Sequence, residues 1–155
     1  METIRSRLEA GCNVRIESGT IINGEDVPEK VLLTHNLVVD TGLNQISLDG
    51  MQNFDIIKYG SGDTAPAADD TDLEAEEYDE ELTVDPSTDT QEGMAIVTYY
   101  HYLGSAAGSL GSITEAGLFL GEVMIARVTF EAISKTAGTY IKVIWSFALT
   151  AEELA

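Results

Sequence analysis

Residues 113–133 read ITEAGLFLGEVMIARVTFEAI, and this stretch contains the pattern that decides the fold. Within residues 123–133, Val123, Ile125 and Arg127 share one face of an extended chain, and the even-numbered residues share the other. Gly121-Glu122 separates this run from the apolar run before it by the length of a two-residue hairpin turn. The stretch therefore predicts two antiparallel strands.

The segments on both sides of this hairpin extend the β pattern. Residues 94–103 and 140–149 are rich in Val, Ile and aromatic residues, and short stretches of small residues join them to the hairpin. Four successive strands of this kind predict a β-meander. The fold class expected for the whole chain is mainly β, an antiparallel β-sandwich or an open barrel, with one or two short helices near the N-terminal half.

The N-terminal half contains fewer strand signals. Residues 1–9 are predicted to form a short helix, and residues 13–22 a hairpin that turns at Ser18-Gly19. Residues 31–39 are expected to be a strand or an ordered arm. A second helix is predicted to open at Thr41 and to end at Gly50.

The chain length and these patterns predict a simple domain organisation. The chain has 155 residues, which fits one domain. We expect an N-terminal arm or small hairpin at residues 1–30, a β-rich domain at residues 31–150 with an acidic arm at residues 63–92, and a tail at residues 151–155.

Net charge restricts the partners. The chain has 27 acidic and 8 basic residues, which give a formal charge of −19. Nucleic-acid binding requires a basic surface, so no nucleic-acid partner is expected. An anionic membrane would repel the chain, and no apolar run reaches the roughly 18 residues that a membrane span needs. A positively charged protein partner fits this charge better.

No metal or cofactor site is predicted. Cys12, His35 and His101 are too few ligands for a zinc cluster, and the histidines lie in apolar or aromatic contexts typical of packing residues. Asp70 and Glu81 have the spacing of the first and last ligands of a calcium loop. Its sixth position is Ala75, where the loop requires glycine, so a solvated acidic face is favoured.

No catalytic residue is predicted either. Gly60-Ser61-Gly62 lacks the further glycines and the lysine of a phosphate-binding loop, which favours a structural turn. Paired acids occur in glycosidases, but a dense acidic run gives no sign of one protonated acid opposite one ionised partner. No nucleophile elbow is present. The chain is therefore expected not to be an enzyme.

The strand at residues 94–103 contains a run of aromatic residues. Alternation predicts that Tyr100 and Tyr102 lie on the face opposite Tyr99 and His101. Two interpretations remain open. One aromatic face contacts another subunit or a receptor, or the strand is an ordinary core strand with tyrosine on its outer face.

Several motifs, taken in order, resemble those of small tail-fibre, baseplate and collar proteins of tailed bacteriophages. They are NLVVDTGL at residues 36–43, IIKYGSGDTAP at 56–66, TDL at 71–73, ITEAGLF at 113–119, MIARVTF at 124–130 and IKVIW at 141–145. In such proteins a short helix leads to a strand that ends in a Gly-x-Gly loop, and a hairpin follows. The resemblance covers roughly residues 31–149.

This resemblance implies a virion structural protein that acts through protein–protein contacts and is assembled in the host cytoplasm. It also implies a homo-oligomer, with a trimer as the first expectation. A capsid decoration protein and a receptor-binding or glycan-binding tail protein remain as alternatives. Residues 69–92 are the most acidic part of the chain, and we expect them to form an arm or outer strand used in docking. The alternative is a solvated strand of the same domain.

Overall fold

The computed structural model describes residues 13–49, 54–91 and 93–150 of the chain. These residues fold into two five-stranded antiparallel sheets that pack together, which confirms the predicted mainly β class and identifies a sandwich rather than a closed barrel. The elements in chain order are β1 (Asn13–Ile22), β2 (Glu25–His35), β3 (Leu37–Val38), α1 (Asp40–Asp49), β4 (Ile56–Gly60), β5 (Glu76–Glu81), β6 (Ser87–Gln91), β7 (Met94–Leu103), a 3-10 turn (Ser105–Ala107), β8 (Gly111–Leu120), β9 (Val123–Lys135) and β10 (Thr139–Thr150).

The predicted meander of four successive strands is wrong, because among these four strands only β8 and β9 form a hairpin. The first sheet has the order β2-β1-β10-β7-β6, and the second sheet has the order β3-β9-β8-β4-β5. The chain therefore crosses between the sheets after β7 and again after β9. Lys135, a buried residue, donates hydrogen bonds to the carbonyl oxygens of Gly108 and Thr136 and so ties these two crossings together. Burial lowers the pKa of its ammonium group.

The N-terminal hairpin exists, but its predicted turn at Ser18-Gly19 is wrong. β1 runs through these residues, and the turn lies at Asn23-Gly24, where both residues have positive φ angles of 53° and 78°. Positive φ at both positions is the geometry of a type I′ turn. Gly19 instead marks a register shift, and a Cβ there would lie 2.0 Å from the carbonyl oxygen of Val27.

This hairpin is part of the sandwich. β1 pairs with β10 from Asn13 to Thr20, so residues before position 31 contribute to the same sheet as the C-terminal strand. β2 ends at His35, and the chain crosses to the second sheet at Asn36 to form β3, which pairs with β9. The helix predicted at residues 1–9 lies outside the described residues.

The second predicted helix is confirmed as α1. In the first turn of α1, the hydroxyl of Thr41 donates a hydrogen bond to the carbonyl oxygen of Met124 at 2.7 Å. Gly42 allows the helix to lie against β9, since a Cβ there would be 2.1 Å from the carbonyl oxygen of Ile125. Ile46 is buried and Leu43 packs on the core. The predicted end at Gly50 lies outside the described residues.

The core lies between the two sheets and contains a cluster of aromatic rings. Phe54 stacks on Tyr99 with ring centroids 5.2 Å apart, and Phe147 meets both rings edge-on at 6.1 Å and 6.0 Å. Trp145 is also buried. Such pairs add roughly 0.5–1.5 kcal/mol each beyond the burial of their area.

The acidic segment forms outer strands of the same domain. β5 pairs with β4 at one edge of the second sheet, and β6 pairs with β7 at the corresponding edge of the first sheet. Leu73 is buried and Tyr78 and Leu82 pack on the core, so part of this segment packs against the domain. Val84 remains half exposed. We refer to β5 and β6 together as the acidic edge, and to residues 61–75, which precede β5, as the acidic loop.

Candidate functional site

A buried carboxylate, Glu115, organises the acidic loop. The side chain lies on β8 and is completely buried. Its Oε1 accepts hydrogen bonds from the backbone N–H groups of Gly62 at 3.1 Å and Ala75 at 2.8 Å, and its Oε2 accepts one from Glu74 at 3.1 Å. Three backbone donors thus converge on one carboxylate, so the loop binds an anion that its own chain supplies.

Arg127 provides the opposite charge. It lies on β9, and its Nε and Nη2 atoms donate to Oε2 of Glu115 at 2.9 Å and 2.8 Å. Its Nη1 donates to the carboxylate of Asp70 at 3.1 Å, and Glu74 lies 3.8 Å from Nη2. Because both Glu115 and Arg127 are desolvated, the loss of either partner would leave a buried charge without compensation. We call Glu115, Arg127 and Asp70 with the amides of Gly62 and Ala75 the Glu115 cluster.

Positions 60 and 62 must be glycine because a side chain at either position would not fit. The Gly60-Ser61-Gly62 turn does not depend on backbone angles that other residues avoid, because neither glycine has a positive φ. A Cβ on Gly60 would lie 2.4 Å from both the carbonyl oxygen of Ala75 and Oε1 of Glu115. A Cβ on Gly62 would lie 2.8 Å from the same Oε1 atom. Glycine lets the loop approach the buried carboxylate.

Gly117 serves the packing beneath the same loop. A Cβ there would lie 2.7 Å from the ring of Phe119 and 3.0 Å from Leu73. Phe119, Leu73, Met124 and Val39 form a second, smaller hydrophobic cluster on this outer face of the second sheet. Glycine at position 117 therefore permits the close approach of a large side chain.

An open cleft of about 320 Å³ lies over the Glu115 cluster. It is lined by Thr64, Asp70, Asp72, Glu74 and Arg127. Hydrogen bonds from Thr64 hold the pKa of the Glu74 carboxyl below its ordinary value. The guanidinium of Arg127 is already engaged by carboxylates of its own chain. An exogenous anion would have to displace these carboxylates, and Glu74, favoured in its ionised form, is poorly suited to donate a proton as a general acid.

The acids with calcium-loop spacing are not brought together as ligands. Asp70 contacts Arg127 and accepts from the N–H of Ala67 at 2.9 Å, whereas Glu81 lies at the end of β5. An extended strand cannot supply the second half of a compact calcium loop. Within the described ranges, no group of three or more His, Cys, Asp or Glu side chains has an arrangement that would hold a metal ion.

His101 connects the two sheets near the acidic edge. Its Nδ1 lies 2.7 Å from the hydroxyl of Tyr59, and its Nε2 lies 3.1 Å from the carboxylate of Glu80. In the neutral ring, Tyr59 donates to Nδ1 and Nε2 donates to Glu80. Burial lowers the pKa of His101, and the negative charge of Glu80 opposes that shift in part. His101 is thus a hydrogen-bonded core residue.

The alternation predicted for the aromatic strand is confirmed. Tyr99 and His101 point into the core, whereas Tyr100 and Tyr102 lie on the other face and are half buried. Tyr102 stacks on Tyr140 of β10 with centroids 5.8 Å apart. The hydroxyl groups of Tyr102 and Tyr140 donate to the carboxylates of Asp26 and Glu17 at 2.8 Å and 2.9 Å. Burial is the main cause that raises the pKa of each tyrosine to about 12.

The Glu115 cluster was not predicted from the sequence, although Glu115 lies in the ITEAGLF motif and Arg127 in the MIARVTF motif. Each is an ionisable residue within a predominantly apolar stretch of its strand. Charged residues are seldom fully buried unless they are paired. Two such residues of opposite charge in adjacent strands are therefore a signal that predicts a buried ion pair. Cys12 lies outside the described residues, and His35 lies on the exposed end of β2.

Comparisons with known proteins give no identification. No protein-family model matches the chain, and no curated protein or solved structure matches it significantly. In the part of the chain that the structure describes, no helix has the length and apolar character needed to cross a membrane.

Proposed function

We propose that this chain is a structural subunit of a tailed-bacteriophage particle, in a tail fibre, baseplate or neck appendage, and that it acts through protein–protein contacts. One observation carries the proposal. Gly62, Glu115 and Arg127 come from three separate motifs of the phage-like sequence pattern, and they meet within hydrogen-bonding distance in the Glu115 cluster. Because these motifs build one structural feature together, they support an architecture shared with the phage proteins that the sequence resembles.

The chemistry of this cluster also favours a structural role. Glu115 is fully buried, and its two oxygen atoms accept hydrogen bonds from three amides and from Arg127. A catalytic carboxylate needs access to a substrate and a proton to accept or donate. Glu115 has neither, which supports a structural role for the cluster, namely to hold the acidic loop against the sandwich.

The position in the particle is tested with purified virions. We expect mass spectrometry of particles from a lysate that expresses this gene to detect the chain, and immunogold labelling to place it at the tail or neck. Label on the head would favour the alternative of a capsid decoration protein. Absence of the chain from particles purified to constant composition would contradict the proposal.

A receptor-binding or glycan-binding role is the second candidate, and the outer tyrosines bear on it. Glycan platforms use open aromatic faces, but Tyr140 is fully buried and Tyr102 stacks on it. Tyr100 and Ile144 remain half exposed beside them. This arrangement favours a protein contact over a sugar platform, and a glycan array with the purified chain tests the choice directly.

The proposal includes self-association, as the resemblance implies. Phage appendages are symmetric assemblies, and a trimer is the expectation by resemblance. The native mass of the purified chain measures this symmetry.

A further inference from the structure

Within residues 13–49, 54–91 and 93–150, no strand pairs with the outer edge of β2, and exposed apolar side chains lie along this edge. β2 is the terminal strand of the first sheet, and it is 11 residues long. Leu33 is 77% exposed, Val31 is 47% exposed and Val27 is 41% exposed. A long edge strand with apolar side chains presents a row of unpaired N–H and C=O groups to other chains. This edge is therefore suited to pairing with another strand.

The other three sheet edges carry features that oppose such pairing. β3 is only two residues long, β5 reads EEYDEE, and β6 reads STDTQ. Short length, charge and polar composition are the usual protections of an edge strand. The first half of β2 is protected in the same way by Pro28, which lacks a backbone donor. The unprotected part is residues 29–35.

Residues 29–35 are self-complementary about a two-fold axis at Leu32. In an antiparallel pair of two copies, Val31 of each copy lies opposite Leu33 of the other, and Lys30 lies opposite Thr34. Glu29 then lies opposite His35. No like charges face each other in this register, and the apolar pair occurs twice. Each favourable cross-strand pair contributes roughly 0.2–1 kcal/mol.

The charge distribution also fits a second copy at this edge. Three half-exposed bases, Arg15, Lys30 and Lys142, lie on β1, β2 and β10, which form this end of the first sheet. Each pairs with a carboxylate of its own chain, Glu17 or Glu131, so this end is less acidic than the end that carries β5 and β6. The acidic edge lies at the opposite end of both sheets. With strands spaced by about 4.8 Å, pairing at β2 separates the two β6 strands by roughly 40 Å. That distance is several Debye lengths at physiological salt, so the acidic edges scarcely repel each other.

We propose that β2 is a homotypic interface, at which two copies of this chain pair antiparallel about Leu32 and form a continuous ten-stranded sheet. The proposal goes beyond the proposed function, because it does not depend on membership of a phage particle. It assigns a two-fold contact, whereas the resemblance implies a three-fold assembly. The two are distinguished by mass.

The first test is sedimentation equilibrium of the full chain over a wide range of concentration, at low and high salt. We expect a monomer–dimer equilibrium that is tighter at high salt than at low salt, because only the longer Debye length at low salt lets two copies of charge −19 repel each other appreciably. A monomer at all concentrations and both salt levels would overturn the proposal. A trimer would also overturn it, while leaving the proposed structural role intact.

The second test compares Leu33→Lys with Val84→Lys. Both changes add one positive charge at an exposed apolar residue, and Val84 is 50% exposed between β5 and β6, away from β2. Leu33→Lys is expected to weaken dimerisation at least tenfold, even though it lowers the net repulsion, and Val84→Lys is expected to leave it unchanged. Equal effects of the two variants would overturn the assignment to β2. Circular dichroism verifies that both are folded.

Cross-linking tests the register without disturbing the exposed face. In a Cys12→Ser background, Leu32→Cys places two thiols opposite each other across the axis, and a short bifunctional maleimide should join them. Val27→Cys is the control, because its two copies would lie about 33 Å apart along paired strands. Efficient cross-linking at position 27, or none at position 32 in a sample that is dimeric, would overturn the register.

Discussion

The guanidinium of Arg127 and the carboxylate of Glu115 meet at 2.8 Å beneath the acidic loop, although a hairpin turn separates the two residues in the chain. Arg127 pairs in register with Gly117, so its side chain reaches diagonally to Glu115 on the same face of the sheet. The pair is fully enclosed by the loop that it holds. The ion pair is therefore stable only while the acidic loop covers it, and the loop is held in place by the same ion pair.

Removal of the arginine should destabilise the fold strongly. Arg127→Met leaves the buried Glu115 without its cation, and we expect the free energy of unfolding to fall by about 3–5 kcal/mol. Urea denaturation monitored by Trp145 fluorescence measures this change. Lys142→Met is the matched control, since it removes a half-exposed base paired with Glu17 and should change stability by less than about 1 kcal/mol. Similar losses in both variants would contradict the assigned role of Arg127.

The close approach at the loop predicts a difference between two glycines. Gly60→Ala places a methyl group 2.4 Å from Glu115 and from the backbone of Ala75, and we expect a loss of about 1–3 kcal/mol in unfolding free energy. Gly138→Ala is the control, because its nearest heavy atom is the hydroxyl oxygen of Thr136 at 3.9 Å. That variant should stay within about 0.5 kcal/mol of the parent. Equal stability of both variants would refute the spatial explanation.

His101 should make stability sensitive to mild acid. Burial lowers the pKa of His101 in the folded chain below its ordinary value of 6.5, so the unfolded chain binds the proton more readily. The stability that the neutral ring contributes is present above pH 6.5 and is lost as the pH falls below it. Burial is the main factor that opposes protonation of the His101 ring, and the negative charge of Glu80 favours it. When Nδ1 is protonated, it no longer accepts the hydrogen bond from the Tyr59 hydroxyl.

The measurement is the difference in unfolding free energy between the parent and His101→Gln from pH 7.5 to pH 5. This difference should shrink as the pH falls, because only the parent loses the contribution of the neutral ring. Acid also relieves repulsion among the carboxylates, and the subtraction removes that common effect. His35→Gln, at the exposed end of β2, is the control. A constant difference between the parent and His101→Gln across this range would contradict the prediction.

The acidic edge is predicted to dock on a basic partner. Glu77, Asp79 and Glu81 are exposed on β5, and their reversal to Lys should prevent particle assembly while the circular dichroism spectrum stays unchanged. Glu76 and Glu80 are left in place because they contact Lys58 and His101. Docking through these charges should weaken with salt, opposite to pairing at β2. Normal assembly with the reversed variant would reduce this edge to a solvated face.

No hydrolase activity is expected on host polysaccharides. Replacement of Asp69, Asp70, Asp72 and Glu74 by their amides should leave any background release of reducing ends unchanged. Asp70 contacts Arg127, so the folded state of the variant must be verified by its unfolding transition. A reproducible glycan-cleaving activity of the parent that disappears in the variant would contradict the non-enzymatic proposal.

Local sequence patterns predicted the strands but not their partners. Alternation in residues 123–133 and the turn at Gly121 identified the β8–β9 hairpin correctly. The same type of pattern also suggested that β7 and β10 join that hairpin, yet they pair with each other in the other sheet. A period of two assigns side chains to faces, but a short loop permits either a hairpin or a crossing between sheets. Asn23-Gly24, by contrast, is a hairpin signal that was present in the sequence and overlooked.

The sequence by itself determined that this is a mainly β chain with a strongly acidic segment and that Tyr100 and Tyr102 share a face, because these properties depend on composition and on neighbouring residues. Only the tertiary structure decided that Glu115 and Arg127 form a buried pair and that no side chain fits at Gly60 and Gly62. It also decided that β2 lies at the end of the first sheet away from the acidic edge. These features depend on desolvation and on contacts between segments far apart in the chain, and such contacts exist only once both sheets have packed.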